Sequence, residues 1–188
     1  MHTKNSKPPF FECIYTSTRS RARVGKIHTA HGTIDTPGFV AVGTNGTIKS
    51  LDNHVVSGIG LQLMFCNTYH LLLQPGVQTI RDAGGIHKFI NRTLPIITDS
   101  GGFQVFSLNY GSIASELKCI KSKWNTGNVI KISEDGVLFR SYRDGEKVLL
   151  TPESSVLAQK DFGSDIIIPL DELQPYHCLL YTSDAADE

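Results

Sequence analysis

Short, nearly uninterrupted apolar runs at residues 39–42, 61–66 and 94–98 constrain this chain more than any other feature. A strand with one wet face alternates polar and apolar residues. A run without alternation suits a strand covered on both faces, as in the parallel sheet of an α/β protein. Between the second and third runs, residues 76–83 read as a helix closed by Gly84-Gly85, where glycine supplies a left-handed cap. A second helix is expected to start at Thr151-Pro152-Glu153 and to run to about Phe162 before Gly163 stops it. Threonine caps such a helix, and proline suits its first position. Another buried strand is expected at residues 165–170.

Two segments break this strand–helix–strand grammar. Residues 10–16, 23–29 and 33–36 alternate around the His31-Gly32 turn and predict an N-terminal antiparallel hairpin element. Residues 129–149 form two alternating segments around Glu134-Asp135-Gly136, with a further turn at Asp144-Gly145, and predict a small antiparallel insertion. Three of the buried strands finish on polar or acidic residues, namely Asn67, Asp99 and Asp171-Glu172. In a parallel α/β protein these ends share one face, which is where a TIM barrel carries its active site. Such a barrel needs about 250 residues, and this chain has 188. The expectation is therefore a truncated (β/α)8 barrel, with an open doubly wound sheet as the alternative.

The 18 Lys and Arg balance the 18 Asp and Glu, so no overall basic field points to nucleic acid, and any such contact must come from a local patch. Lys118, Lys121, Lys123, Trp124 and Lys131 could supply one, as could Arg19, Arg21, Arg23 and Lys26; a solvated surface explains them as well. Cys13, Cys66, Cys119 and Cys178 lie far apart, without a C-x-x-C or a run of histidines, so they form no recognisable zinc or redox motif. The N-terminus lacks the apolar core of a secretory signal, and no stretch has the length of a membrane span, so a cytoplasmic protein is expected. Residues 178–188, CLLYTSDAADE, drop the preceding pattern abruptly and read as a translated library adapter. On that reading residues 1–177 are the native part, and the natural chain is expected to continue past His177.

Thr98-Asp99-Ser100-Gly101-Gly102-Phe103-Gln104 is the densest chemical candidate. An acid at a strand end precedes two glycines that let backbone approach a ligand closely, so N–H groups could hold a carbonyl while the carboxylate handles a proton. An Asx-type turn explains the same residues without function. Asp171, at the end of an apolar strand, should be partly desolvated unless it meets a donor-rich ligand or a neighbouring cation. Asn67 could orient a carboxylate through its side-chain amide.

Taken in order, Val42-Gly43-Thr44, Asn67-Thr68-Tyr69-His70-Leu71, Gln74-Pro75-Gly76, Gly84-Gly85, Asp99-Ser100-Gly101-Gly102-Phe103-Gln104, Thr151-Pro152-Glu153, Gly163-Ser164-Asp165 and Asp171-Glu172 resemble the tRNA-guanine transglycosylase family over about residues 21–177. The resemblance implies a zinc-containing TIM barrel, homodimeric when complete, that binds tRNA and exchanges guanine at the wobble position for a 7-deazaguanine through a covalent ribosyl–enzyme intermediate. It makes Asp99 the general acid/base, with Ser100, Gly101, Gly102 and Phe103 lining the base pocket and Phe103 stacking on the purine. Asp171 would read the donor edge of the base, and Asn67 and Gln104 would support the site. The family's nucleophilic aspartate and its Cys-x-Cys-x-x-Cys plus His zinc ligands would lie beyond this chain. Phe103 and Leu173 stand where many bacterial members carry Tyr and Cys, which leaves both queuine and its aminomethyl precursor open as the incoming base. A noncatalytic tRNA-binding subunit or an inactive fragment is the rival reading; a subunit freed from catalysis has no need of Asp99.

Overall fold

Of the three apolar runs, two become central strands and one becomes an edge. The computed structural model describes residues 8–109 and 128–171. The chain divides into two units, Met1–Asp99 with Ala158–Ile168 and Ser100–Leu157 with Pro169–Glu188.

The first unit opens with the antiparallel strands β1 (Phe11–Thr16), β2 (Arg23–Thr29) and β3 (Gly32–Thr36), paired in that order as the alternating pattern predicts. A parallel sheet follows, built from β4 (Val40–Val42), β5 (Leu63–Cys66), β6 (Ile96–Thr98) and β10 (Ile166–Ile167) in the order β10-β6-β5-β4. Strand β5 is the most covered: Leu63, Met64 and Cys66 are buried. Strand β4 departs from its expected burial. Among the described residues it pairs on one side only, and Phe39 and Val42 are 79% and 56% exposed. An apolar run reports that a strand can be covered, but the covering elements are supplied from elsewhere in a chain.

Helix α1 (Asn53–Gly58) precedes β5, with the Asp52 carboxylate accepting the His54 N–H at 2.7 Å as its N-cap. The connection from β5 to β6 holds three short helices, α2 (Thr68–Leu73), α3 (Val77–Asp82) and α4 (Ile86–Phe89), of which the sequence pattern shows only α3. Gly84 closes α3 at φ +86°, the left-handed cap expected of it. Met64, Cys66, Leu71, Ile80, Ile86 and Ile96 form one buried cluster with Ala158 and Phe162. The last two belong to a helix spanning Pro152–Phe162.

Side chains carry on the sheet where its backbone ladder stops. Strand β10 covers two residues rather than the expected six-residue stretch. Beyond it, the buried Gln159 side chain accepts the Ile168 N–H at 3.0 Å and donates to the Ile168 carbonyl at 2.8 Å, doing the work of a strand partner. Pro169 then has no N–H to continue a ladder. At the other end of β10, the Asp165 carboxylate is completely covered, accepting N–H bonds from His31 and Ile96 and ring contacts from His31 and His87. Burial alone raises a carboxylic acid, but these donors more than offset it and hold Asp165 well below the usual carboxylate range.

In the second unit, α5 (Gly102–Asn109) follows the glycine pair. The expected insertion is a three-stranded antiparallel sheet of β7 (Val129–Ser133), β8 (Gly136–Arg140) and β9 (Lys147–Leu150), whose Val137, Phe139 and Leu150 are buried. Helix α6 (Pro152–Phe162) starts from a reciprocal cap: the Ser154 N–H donates to Thr151 Oγ1 at 3.0 Å and the Thr151 N–H to Ser154 Oγ at 2.8 Å.

Phe162 is fully buried in the core cluster, so Phe162→Ala is expected to cost about 3–5 kcal/mol of stability. Urea unfolding followed by circular dichroism checks this; a loss under about 1 kcal/mol contradicts the assigned core.

Candidate active site

Asp99 follows β6 directly and continues its pairing by donating its N–H to the Cys66 carbonyl at 3.3 Å. Its carboxylate is gripped on both oxygens by the neighbouring strand end. Asn67 Nδ2 donates to one at 2.7 Å, and the Thr68 N–H donates to the other at 2.7 Å. The Thr68 hydroxyl also donates to the Asp99 backbone carbonyl at 2.6 Å. Thr68 opens α2, so its N–H is one of the first-turn donors that a helix leaves without an internal partner. Asn67 and Thr68 are buried and Asp99 is half-buried.

Burial acts on two titratable residues near this group. Burial lowers the His70 imidazole, with the Asp99 charge pulling weakly the other way. Burial also pushes the Cys66 thiol up to about 12; Arg92 opposes this rise and Asp99 adds to it. Two neutral donors, the Asn67 amide and the Thr68 N–H, orient the Asp99 carboxylate.

The second unit holds the rest of the candidate residues. The Ser100 hydroxyl donates to Asp171 Oδ1 at 2.6 Å and accepts the Gly102 N–H at 3.1 Å. Gly101 takes φ +82°, a left-handed turn that glycine enters freely. Gly102 is required for a different reason: a Cβ there would lie 2.5 Å from the Asp171 carbonyl oxygen. The Ser155 hydroxyl, on α6, donates to the Ser100 carbonyl at 2.7 Å. Phe103 presents 42% of its surface, and Gln104 is half-buried.

Asn67, expected to orient a carboxylate, thus meets that of Asp99, and Ser100 and Gly102 meet Asp171. The two groups are joined in sequence by the Asp99–Ser100 peptide bond. The expected desolvation of Asp171 does not hold: the ladder ends at Ile167, and Asp171 is exposed with the Ser100 hydroxyl on its side chain. Glu172, Leu173 and the basic cluster from Lys118 to Trp124 lie outside the described residues, while Lys131 is exposed on β7. Sequence reasoning missed Thr68, which acts mainly through its backbone N–H, and the buried Ser155 and Gln159. No residue type signals a main-chain donor.

The family model described as queuine tRNA-ribosyltransferase matches residues 17–186. The chain belongs to this family. A queuine tRNA-ribosyltransferase of Protochlamydia amoebophila (strain UWE25) is 71% identical over 167 residues, covering 89% of this chain and 43% of that protein. Those of Chlamydia abortus (strain DSM 27085 / S26/3) and Chlamydia trachomatis serovar L2 (strain ATCC VR-902B / DSM 19102 / 434/Bu) are 58% identical, with 89% of this chain and 44% of each relative covered. The chain therefore spans somewhat under half the length of these queuine tRNA-ribosyltransferases. Among the described residues, no helix is long and apolar enough to cross a membrane.

The environment of Cys66 gives a direct check on this site. At pH 8 iodoacetamide should label the exposed Cys13 in the native chain and leave Cys66 unmodified, with both labelled in denaturant. Peptide mass spectrometry reads the result; rapid native labelling of Cys66 contradicts the buried strand end.

Proposed function

We propose that the complete protein exchanges the guanine at the wobble position of tRNA for a 7-deazaguanine, queuine or its aminomethyl precursor, through a covalent ribosyl–enzyme intermediate. The observation that carries this reading is the carboxylate of Asp99, gripped on both oxygens by Asn67 and Thr68 at the ends of two parallel strands. Exchange of one base for another on the same sugar retains configuration, so it requires two displacements and two acids. A nucleophilic carboxylate outside this chain attacks the anomeric carbon as the bond to guanine breaks. Asp99, protonated for the step that releases guanine, gives that proton to the departing base, and the carboxylate left behind takes one back from the incoming base.

In this reading Asp171 accepts hydrogen bonds from the donor edge of the base, and Phe103 stacks on its face. Ser100 holds Asp171 through its hydroxyl, Gly101 and Gly102 let the backbone come close, and Asn67 and Gln104 support the site. Residues 1–177 are assigned to the first part of a (β/α)8 barrel, which the parallel order β10-β6-β5-β4 and the uncovered edge of β4 support. A homodimer and a cytoplasmic location belong to the same reading. The family's zinc set of Cys-x-Cys-x-x-Cys plus His does not fit the described residues, among which Cys13 is exposed and Cys66 is buried in the core cluster.

In the complete protein, Asp99→Asn should lower incorporation of labelled guanine into tRNA by at least about 100-fold while leaving tRNA retention in a gel shift unchanged. Undiminished exchange would falsify the acid/base role. The 188-residue chain alone, lacking the nucleophile, is expected to incorporate no label; robust incorporation by the purified chain contradicts the division of roles.

A further inference from the structure

One side-chain cluster in the first unit is not used by base exchange. His31 in the β2–β3 turn, His87 in α4 and Asp165 before β10 come together across long stretches of sequence. The two imidazole rings lie face to face, with centroids 3.5 Å apart and planes 12° from parallel. Both turn a nitrogen to the same carboxylate, His31 Nδ1 to Oδ1 at 2.9 Å and His87 Nε2 to Oδ2 at 3.1 Å. The Asp165 side chain is 0% exposed and that of His87 10%, whereas His31 is 38% exposed.

We infer that His31, His87 and Asp165 form a divalent-cation site for a zinc-type ion, separate from the cysteine-rich set of the family. Imidazole nitrogen and carboxylate oxygen bind such an ion at about 2.0–2.2 Å. Two ligands at that radius lie roughly 3.0–3.4 Å apart for right-angled to tetrahedral bond angles. The observed nitrogen–oxygen pairs, at 2.9 and 3.1 Å, lie close to the short end of that spacing, and all three ligand atoms lie within 4.8 Å of one another. Binding then requires the two stacked rings to turn away from parallel, so that both in-plane lone pairs meet one ion, and a change of tautomer, each ring carrying its proton on the nitrogen turned away from Asp165.

The surroundings are those of a supported ligand set. The carboxylate oxygens also accept the His31 N–H at 3.1 Å and the Ile96 N–H at 2.9 Å, which fix the orientation of Asp165 before any ion arrives. Partly exposed His31 leaves a route in and room for water on the open coordination positions. Two nitrogens and a carboxylate select zinc, nickel or cobalt over magnesium or calcium. The cluster sits where β6 and β10 begin, whereas Asp99 sits where β6 ends, so the ion would tie the N-terminal hairpin element to the sheet without taking part in base exchange. Ligand binding to the folded state alone also raises stability.

Cobalt(II) titration of the 188-residue chain tests the site, because its visible bands report nitrogen and oxygen ligands while thiolates add an intense sulfur-to-cobalt charge-transfer band. One equivalent should bind with visible bands and no sulfur band, and cobalt or zinc should raise the thermal midpoint. His31→Gln changes the most exposed ligand and should keep the metal-free circular dichroism spectrum while weakening binding at least about tenfold. His87→Gln should do the same. Absence of bands, a sulfur charge-transfer band, or titrations unchanged in both variants overturns the assignment.

Discussion

Parallel strands end with backbone groups pointing out of the sheet, and something must hold them in place. At the end of β5 and β6 that something is the Asp99 carboxylate. Its two oxygens take the Asn67 amide and the Thr68 N–H, while the Thr68 hydroxyl returns a bond to the Asp99 carbonyl. Three short bonds therefore lock the start of α2 to the end of β6. They also leave the acid half-buried and oriented, which suits the proton transfer proposed for it.

The same device recurs through the first unit. Asp165 ties the start of β6 to the hairpin turn and to α4, and Gln159 extends β10 by pairing with both backbone groups of Ile168. Gln159 Oε1 also accepts the Thr98 hydroxyl at 3.0 Å, one residue before Asp99. Short strands of two to four residues gain little from their own ladders. Buried amide and carboxylate side chains make up the difference, and their orientation is fixed because every alternative leaves a buried polar atom unpaired.

Much of this was legible in the residues. Alternation located the hairpin strands and the insertion, glycine chemistry located the end of α3, and the Asp99–Gln104 segment stood out by its turn chemistry. The Asn67 amide was expected near a carboxylate and is found there. Other features could not be read. The run at residues 39–42 looks as buried as β5, yet among the described residues β4 is mostly exposed, because burial is decided by what packs on top. Strand β10 ends early because a glutamine on α6 takes over its pairing, a relation between residues 159 and 168 that no local pattern encodes. His31 and His87 lie 134 and 78 residues from Asp165 in sequence, so histidine clustering in sequence gave no sign of the three together.

In the proposed reaction Asn67 works through Asp99. A double-mutant cycle on guanine exchange by the complete protein tests it most directly, comparing Asn67→Ala, Asp99→Asn and the pair. If the amide serves to orient the acid, Asn67→Ala slows exchange in the native background and costs almost nothing further once Asp99 is already Asn. Independent, multiplicative losses from the two substitutions would contradict the account, because Asn67 would then be acting on something other than the carboxylate it holds.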